Sequence, residues 1–187
     1  MSSVASPFGL KPAFHPSGII RQQLSTIISG LGSDIFQFSP VRIDDATGAL
    51  VPAVATASNV LGVFSGVEWT GTDGRRRVGN RWESGTVGTD IVAYYVGDAD
   101  TVYEIQGDGP VLQANVGDQA DYNALGGNAV TGLSNVSLAT AGLGNVAATL
   151  RVVGINPAPD NVPGDLFTIA QVMIAEHAYN AYTVVKT

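Results

Sequence analysis

From Ile19 onward, short runs of β-branched and aromatic residues are cut off by turn sequence roughly every ten residues. The runs are "IIRQQLSTII", "DIFQFSPVRI", "NVLGVFSGVEW", "RRRVGNRW", "DIVAYYVG", "TVYEIQ", "TGLSNVSLAT", "AATLRVVGI" and "LFTIAQVMIAEHAYNAYTVV". Between them stand "DDATG", "GTDG", "GDAD", "GDGP", "LGGN" and "NPAPDNVPGD", each built from residues that turns require. Punctuation at this spacing predicts an all-β fold, a β-barrel or a jelly-roll-like sandwich. Only "VGDQADYNALG", residues 116–126, has room for a short helix. With 187 residues the chain supports one hydrophobic core, so a single β-domain is expected over residues 19–187.

Residues 1–18 read differently. Pro7, Pro12 and Pro16 with Gly9 and Gly18 forbid a helix, and the segment carries the apolar side chains Phe8, Leu10 and Phe14. An extended N-terminal arm that anchors on a neighbouring subunit is the expectation. The opening "MSSVASPFGLKPAFHP" has no basic stretch leading into an apolar run, and no window approaches the roughly 18 apolar residues of a membrane span. Neither export by the usual signal nor a membrane partner is therefore expected.

Charge is scarce. Charged residues make up 13% of the chain while 45% is hydrophobic, against about 25% charged in an ordinary soluble domain. Lysine, which free surfaces favour and interfaces deplete, occurs only at Lys11 and Lys186. This composition points to a protein that works assembled; the alternative is a surface rich in Ala and Val, which are cheap to expose.

Candidate chemistry is sparse. With no cysteine there is no disulfide, thiolate nucleophile or Cys-ligated zinc, and His15 and His177 are the only imidazoles. No Gly-x-Ser-x-Gly elbow occurs. The carboxylate groupings Asp44 with Asp45, Asp98 with Asp100 and Glu104, and Asp118 with Asp121 fall in or beside turns, where Asp serves its own backbone. "DADTVYE" has some of the oxygens of a calcium loop but not its central glycine. In "AEHAYNAY", Glu176 and His177 are adjacent, so in a strand they point to opposite faces; an edge or surface strand is expected there. No catalytic residue, cofactor or metal is assigned.

One cluster remains. "WTGTDGRRRVGNRW", Trp69 to Trp82, holds four of the nine basic residues of a chain whose net charge is −7. An acidic total and a pI near 4.5 argue against a nucleic-acid partner, and strand-like sequence follows where a phosphate loop would need a helix. The stretch predicts a hairpin turning at "GTDG", with Arg75, Arg77 and Arg81 on one face. Such a row suits carboxylates of a partner subunit; an edge strand kept soluble by its charge is the other reading.

The segments "SPFGLKPAFHPSG", "LGVFSGVEW" with "GRRRVGNRW", "DIVAYYVGDADTVYEIQGDG" and "LRVVGINPAPDNVPGDLFTIAQVMIAEHAY" resemble, in this order and over most of the chain, the capsid decoration (cement) proteins of tailed bacteriophages. The resemblance implies a β-rich structural virion protein, often a homotrimer, on the outer surface of the capsid. There it locks adjacent copies of the major capsid protein together without catalysis. The alternative is a carbohydrate- or receptor-binding β-module of a head or tail fibre, with Trp69, Tyr94, Tyr95 and Tyr179 as a sugar platform.

Overall fold

The computed structural model describes residues 4–55, 59–123, 125–145 and 147–179. Eleven strands form two antiparallel sheets packed together as an all-β sandwich. They are β1 (Lys11–Phe14), β2 (Gln23–Ser25), β3 (Pro40–Ile43), β4 (Leu50–Pro52), β5 (Gly62–Gly71), β6 (Arg76–Gly79), β7 (Gly88–Val96), β8 (Val102–Gln106), β9 (Gln119–Ala120), β10 (Leu150–Ile155) and β11 (Ile169–Ile174). One sheet runs β1-β8-β11-β10-β9; the other runs β2-β7-β5-β3-β4, with β6 paired to β5.

Alternation along the strands sends Tyr103 and Ile105 of β8, Leu150 and Val152 of β10, and Ala170, Val172 and Ile174 of β11 into one core. Val63 and Val96, opposite each other on β5 and β7, close that core from the second sheet. The next pairs along, Phe64 with Tyr95 and Val67 with Ala93, face the other way into a second cluster. Ile27, Ile35 and Trp82 cover it. A register shift with its extra residue in β5, between Phe64 and Gly66, keeps Val67 on this side, and a second, with its extra residue in β7, follows between Glu68 and Thr70.

Three expectations need correction. The segment 116–126 holds β9 and not a helix, because Gln119 and Ala120 complete the sheet against Arg151 and Leu150. The described residues 4–18 do not stand apart from the domain. Gly9 N–H donates to Val136 O (3.1 Å), Leu10 N–H to Phe38 O (3.0 Å), and β1 pairs with β8 as the edge of the first sheet. Prolines exclude a helix but tolerate an edge strand, and the fully buried side chain of Leu10 ties the segment to the common core. Further out, the buried Gln106 side chain accepts from Ser6 N–H (2.7 Å) and donates to Val4 O (2.9 Å). His177, read as part of a surface strand, is buried.

Candidate docking surface

The hairpin expected at "GTDG" is present. Gly74 N–H returns to Gly71 O (2.9 Å), Gly74 takes φ 75°, and Gly71 N–H donates to Arg75 O (2.9 Å). This is a three-residue connection whose last position needs the left-handed region that glycine adopts without penalty. Trp69 and Trp82 flank the hairpin and meet edge to face, with ring centroids 5.6 Å apart and planes at 72°.

Cross-strand partners share a face, which fixes what the far ends of β5 and β7 present. The rows Leu24–Tyr94–Gly66 and Val92–Glu68–Val78 lie on the same side of the sheet as Val63 and Val96. At the Val63 end that side meets the other sheet. At the hairpin end it is open, with Leu24 67% and Val78 78% exposed. In the middle of this open face Tyr94 O–H donates to Glu68 Oε1 (2.6 Å), and Arg76 reaches Glu68 Oε1 (3.2 Å) and Asp90 O (2.7 Å). The tyrosine hydroxyl, then Arg76, hold the Glu68 carboxyl below its ordinary range, and the same bond raises Tyr94.

The expected arginine row is kept in part: Arg75 and Arg77 meet at one carboxylate, while Arg81 pairs elsewhere. Arg77 sits on the Trp69 face and binds Asp73 Oδ2 (3.1 Å), Arg75 lies 4.0 Å from the same carboxylate, and Arg81 pairs with Glu83 (3.5 Å). Arg77 and Arg81 thus already have carboxylates within their own chain. Arg75 is the most open, its side chain 85% exposed. Of the three apolar side chains expected to anchor the arm on a neighbour, Leu10 is enclosed and has no surface to offer, Phe8 is half-buried and Phe14 is exposed. Sequence reading passed over Arg76, Glu68, Leu24 and Val78 and offered Tyr94 only to a sugar platform, because their convergence depends on the β5–β6 and β5–β7 registers.

Both histidines close on the loop after β7. His15 Nε2 lies 3.2 Å from Asp98 Oδ1, and Asp100 completes a group whose ligand atoms fall within 4.8 Å of one another. Ser17 N–H, however, donates to His15 Nδ1 (3.1 Å). That places the proton of a neutral ring on Nε2, where a cation would need a lone pair. The arrangement is that of a histidine in close contact with a carboxylate. Glu104 instead accepts from Asn156 (2.6 Å). From the C-terminal side, Tyr179 N–H donates to His177 Nδ1 (3.1 Å) and His177 Nε2 reaches Gly97 O (3.2 Å), again the Nε2–H form. Burial pushes the His177 pKa down. Glu176 is half-buried beside it, and Tyr182 lies outside the described residues.

Most of the carboxylates weighed for catalysis are occupied locally. Asp44 accepts from Thr47 (2.6 Å), Asp98 from Asp100 N–H (3.1 Å), Asp118 from Asn115 (2.9 Å), and Asp121 from Thr149 N–H (3.0 Å) and its hydroxyl (2.8 Å). A groove of about 480 Å³ lies beside β3 and β4, lined by Leu31, Phe36, Arg42, Asp44, Val51 and Pro52 among others. The aromatics proposed as a sugar platform are not gathered: Trp69 packs on Trp82, Tyr95 is buried, Tyr94 is bonded to Glu68, and Tyr179 stands on the His177 ring. No helix described is long and apolar enough to cross a membrane. Comparison with family models, with curated proteins and with solved structures finds no match for this chain.

Proposed function

We propose that this chain is a structural virion protein that decorates the outer surface of a tailed-bacteriophage head, as a homotrimer that cements adjacent copies of the major capsid protein. The observation that carries the reading is the open end of the second sheet. There, exposed Leu24 and Val78 surround a tyrosine and an arginine already bonded to Glu68 and to the Asp90 carbonyl. Tyr and Arg held in place in this way are the residues that dominate binding energy at protein interfaces, and satisfying them in advance lowers the cost of removing water from them. The resemblance of the sequence supports the same reading, as does its low charge content.

A protein that binds only the assembled, expanded shell stabilises it by mass action, by about 2.7 kcal/mol per site at a hundredfold excess over Kd. Summed over many sites, this opposes the pressure of packaged DNA, and no catalytic step is required. Arg76 and Arg77 each pair with a carboxylate of their own chain, whose net charge is −7, and this weighs against a nucleic-acid track. The test is co-sedimentation of the purified chain with DNA-free expanded heads of the phage that encodes it. Saturable binding, together with heads that survive higher temperature, is expected. Heads that neither retain the protein nor gain heat resistance would refute the proposal.

A further inference from the structure

β6 is bonded to β5 on one side, and among the described residues no strand or bridge covers its other side. The hairpin closure determines which groups face outward. Because Gly71 and Arg75 form a hydrogen-bonded pair, alternation along an antiparallel ladder makes Thr70–Arg76 and Glu68–Val78 the non-bonded pairs. The N–H and C=O of Arg76 and Val78 are thereby turned toward the open edge.

The charge around this edge is unbalanced. Arg75 and Arg77 share the single carboxylate of Asp73 while Arg76 takes Glu68, so three guanidiniums meet two carboxylates. The tip keeps one cation in excess on a chain of net charge −7. The two faces of the edge also differ in chemistry, with Arg77 on the Trp69 side and Arg76 and the exposed Val78 on the Tyr94 side.

We infer that β6 receives an extended acidic segment of another protein, added to the second sheet as an extra strand whose alternate side chains meet Arg77 on one face and Arg76 and Val78 on the other. Main-chain hydrogen bonds give such an addition its affinity and the alternating side chains its specificity. Charge complementarity selects the occupant: an acidic strand neutralises the surplus guanidinium, whereas the same edge of a second copy would set guanidiniums against guanidiniums. The inference deepens the docking reading and rests on it only for the claim that the strand belongs to a shell protein.

The experiment uses the full chain and a fluorescein-labelled peptide of about eight residues alternating Glu and Val, with a Lys/Val peptide as control, read by anisotropy. Val78→Pro removes an outward N–H at a position where an edge strand tolerates proline, and Arg75→Glu with Arg77→Glu reverses the charge while leaving the backbone free. The acidic peptide is expected to bind, and to lose at least tenfold in affinity in each variant, with the Lys/Val peptide at least tenfold weaker on the parent chain. Equal binding of the two peptides, or undiminished binding of the acidic one by the Arg double variant, overturns the inference; so does undiminished binding by a folded Val78→Pro chain. A concentration-dependent dimer of the parent chain that Val78→Pro abolishes also overturns it, by assigning the edge to a second copy. Peptide binding with the expected pattern by a chain that never sediments with heads leaves the edge inference standing and removes the capsid reading. Binding to heads that neither variant disturbs does the reverse.

Discussion

Leu10 and Phe14, four residues apart in the same proline-bounded segment, have opposite fates. Leu10 is fully buried and Phe14 is 54% exposed. Leu10→Ala is therefore expected to cost about 2–5 kcal/mol in chemical denaturation, and Phe14→Ala within about 0.5 kcal/mol. Equal, small effects would mean that the segment is not part of the core. Gly9 is constrained twice: φ is 81°, and a Cβ there would stand 2.5 Å from Phe38 O and 2.8 Å from Ser134 Cβ. Gly9→Ala should destabilise by more than the 1–2 kcal/mol or so of a left-handed residue alone, measurable by the same method. His177 provides a pH signature. Its folded pKa is depressed by burial, so below the ordinary value near 6.5 the unfolded chain binds the extra proton, and stability falls with acidification until the folded pKa is reached. The slope is at most about 1.4 kcal/mol per pH unit. Urea unfolding of the parent chain from pH 7.5 to 5 should show this component, and His177→Gln, which keeps a donor for Gly97 O, should lack it. Identical pH dependence in the two chains would contradict the assignment.

At the level of elements, what the sequence disclosed and what it concealed divide along local and non-local lines. β5, β7, β8, β10 and β11 fall inside runs marked by β-branched and aromatic residues bounded by turns, and the β5–β6 hairpin is announced by "GTDG". β1 and β9 are different. Lys11–Phe14 contains a proline and Gln119–Ala120 has little strand propensity; each is a strand because a neighbouring edge supplies hydrogen bonds. The open face around Glu68 was hidden for the same reason, since Glu68, Arg76 and Tyr94 converge through register and two bulges that no local pattern encodes. Deleting residues 1–14 is thus expected to do more than weaken attachment. It opens the β8 edge and empties the Leu10 site, so the truncated chain should melt at lower temperature and bind a hydrophobic dye. A truncated domain with an unchanged Tm would restore the picture of a separate arm.

For the whole molecule, the open end of the second sheet and the scarcity of lysine argue that this surface is covered in use. Closed cyclic symmetry is the usual way to cover such surface without forming filaments, and sedimentation equilibrium at micromolar concentration is expected to give a trimer. The central claim, decoration of a phage head, is tested most directly by cryo-electron microscopy of heads from a phage lacking this gene, before and after the purified chain is added back. The account predicts new density at symmetry-related positions on the outer surface, bridging neighbouring capsid subunits and matching the two-sheet sandwich. Heads indistinguishable with and without the protein would contradict it.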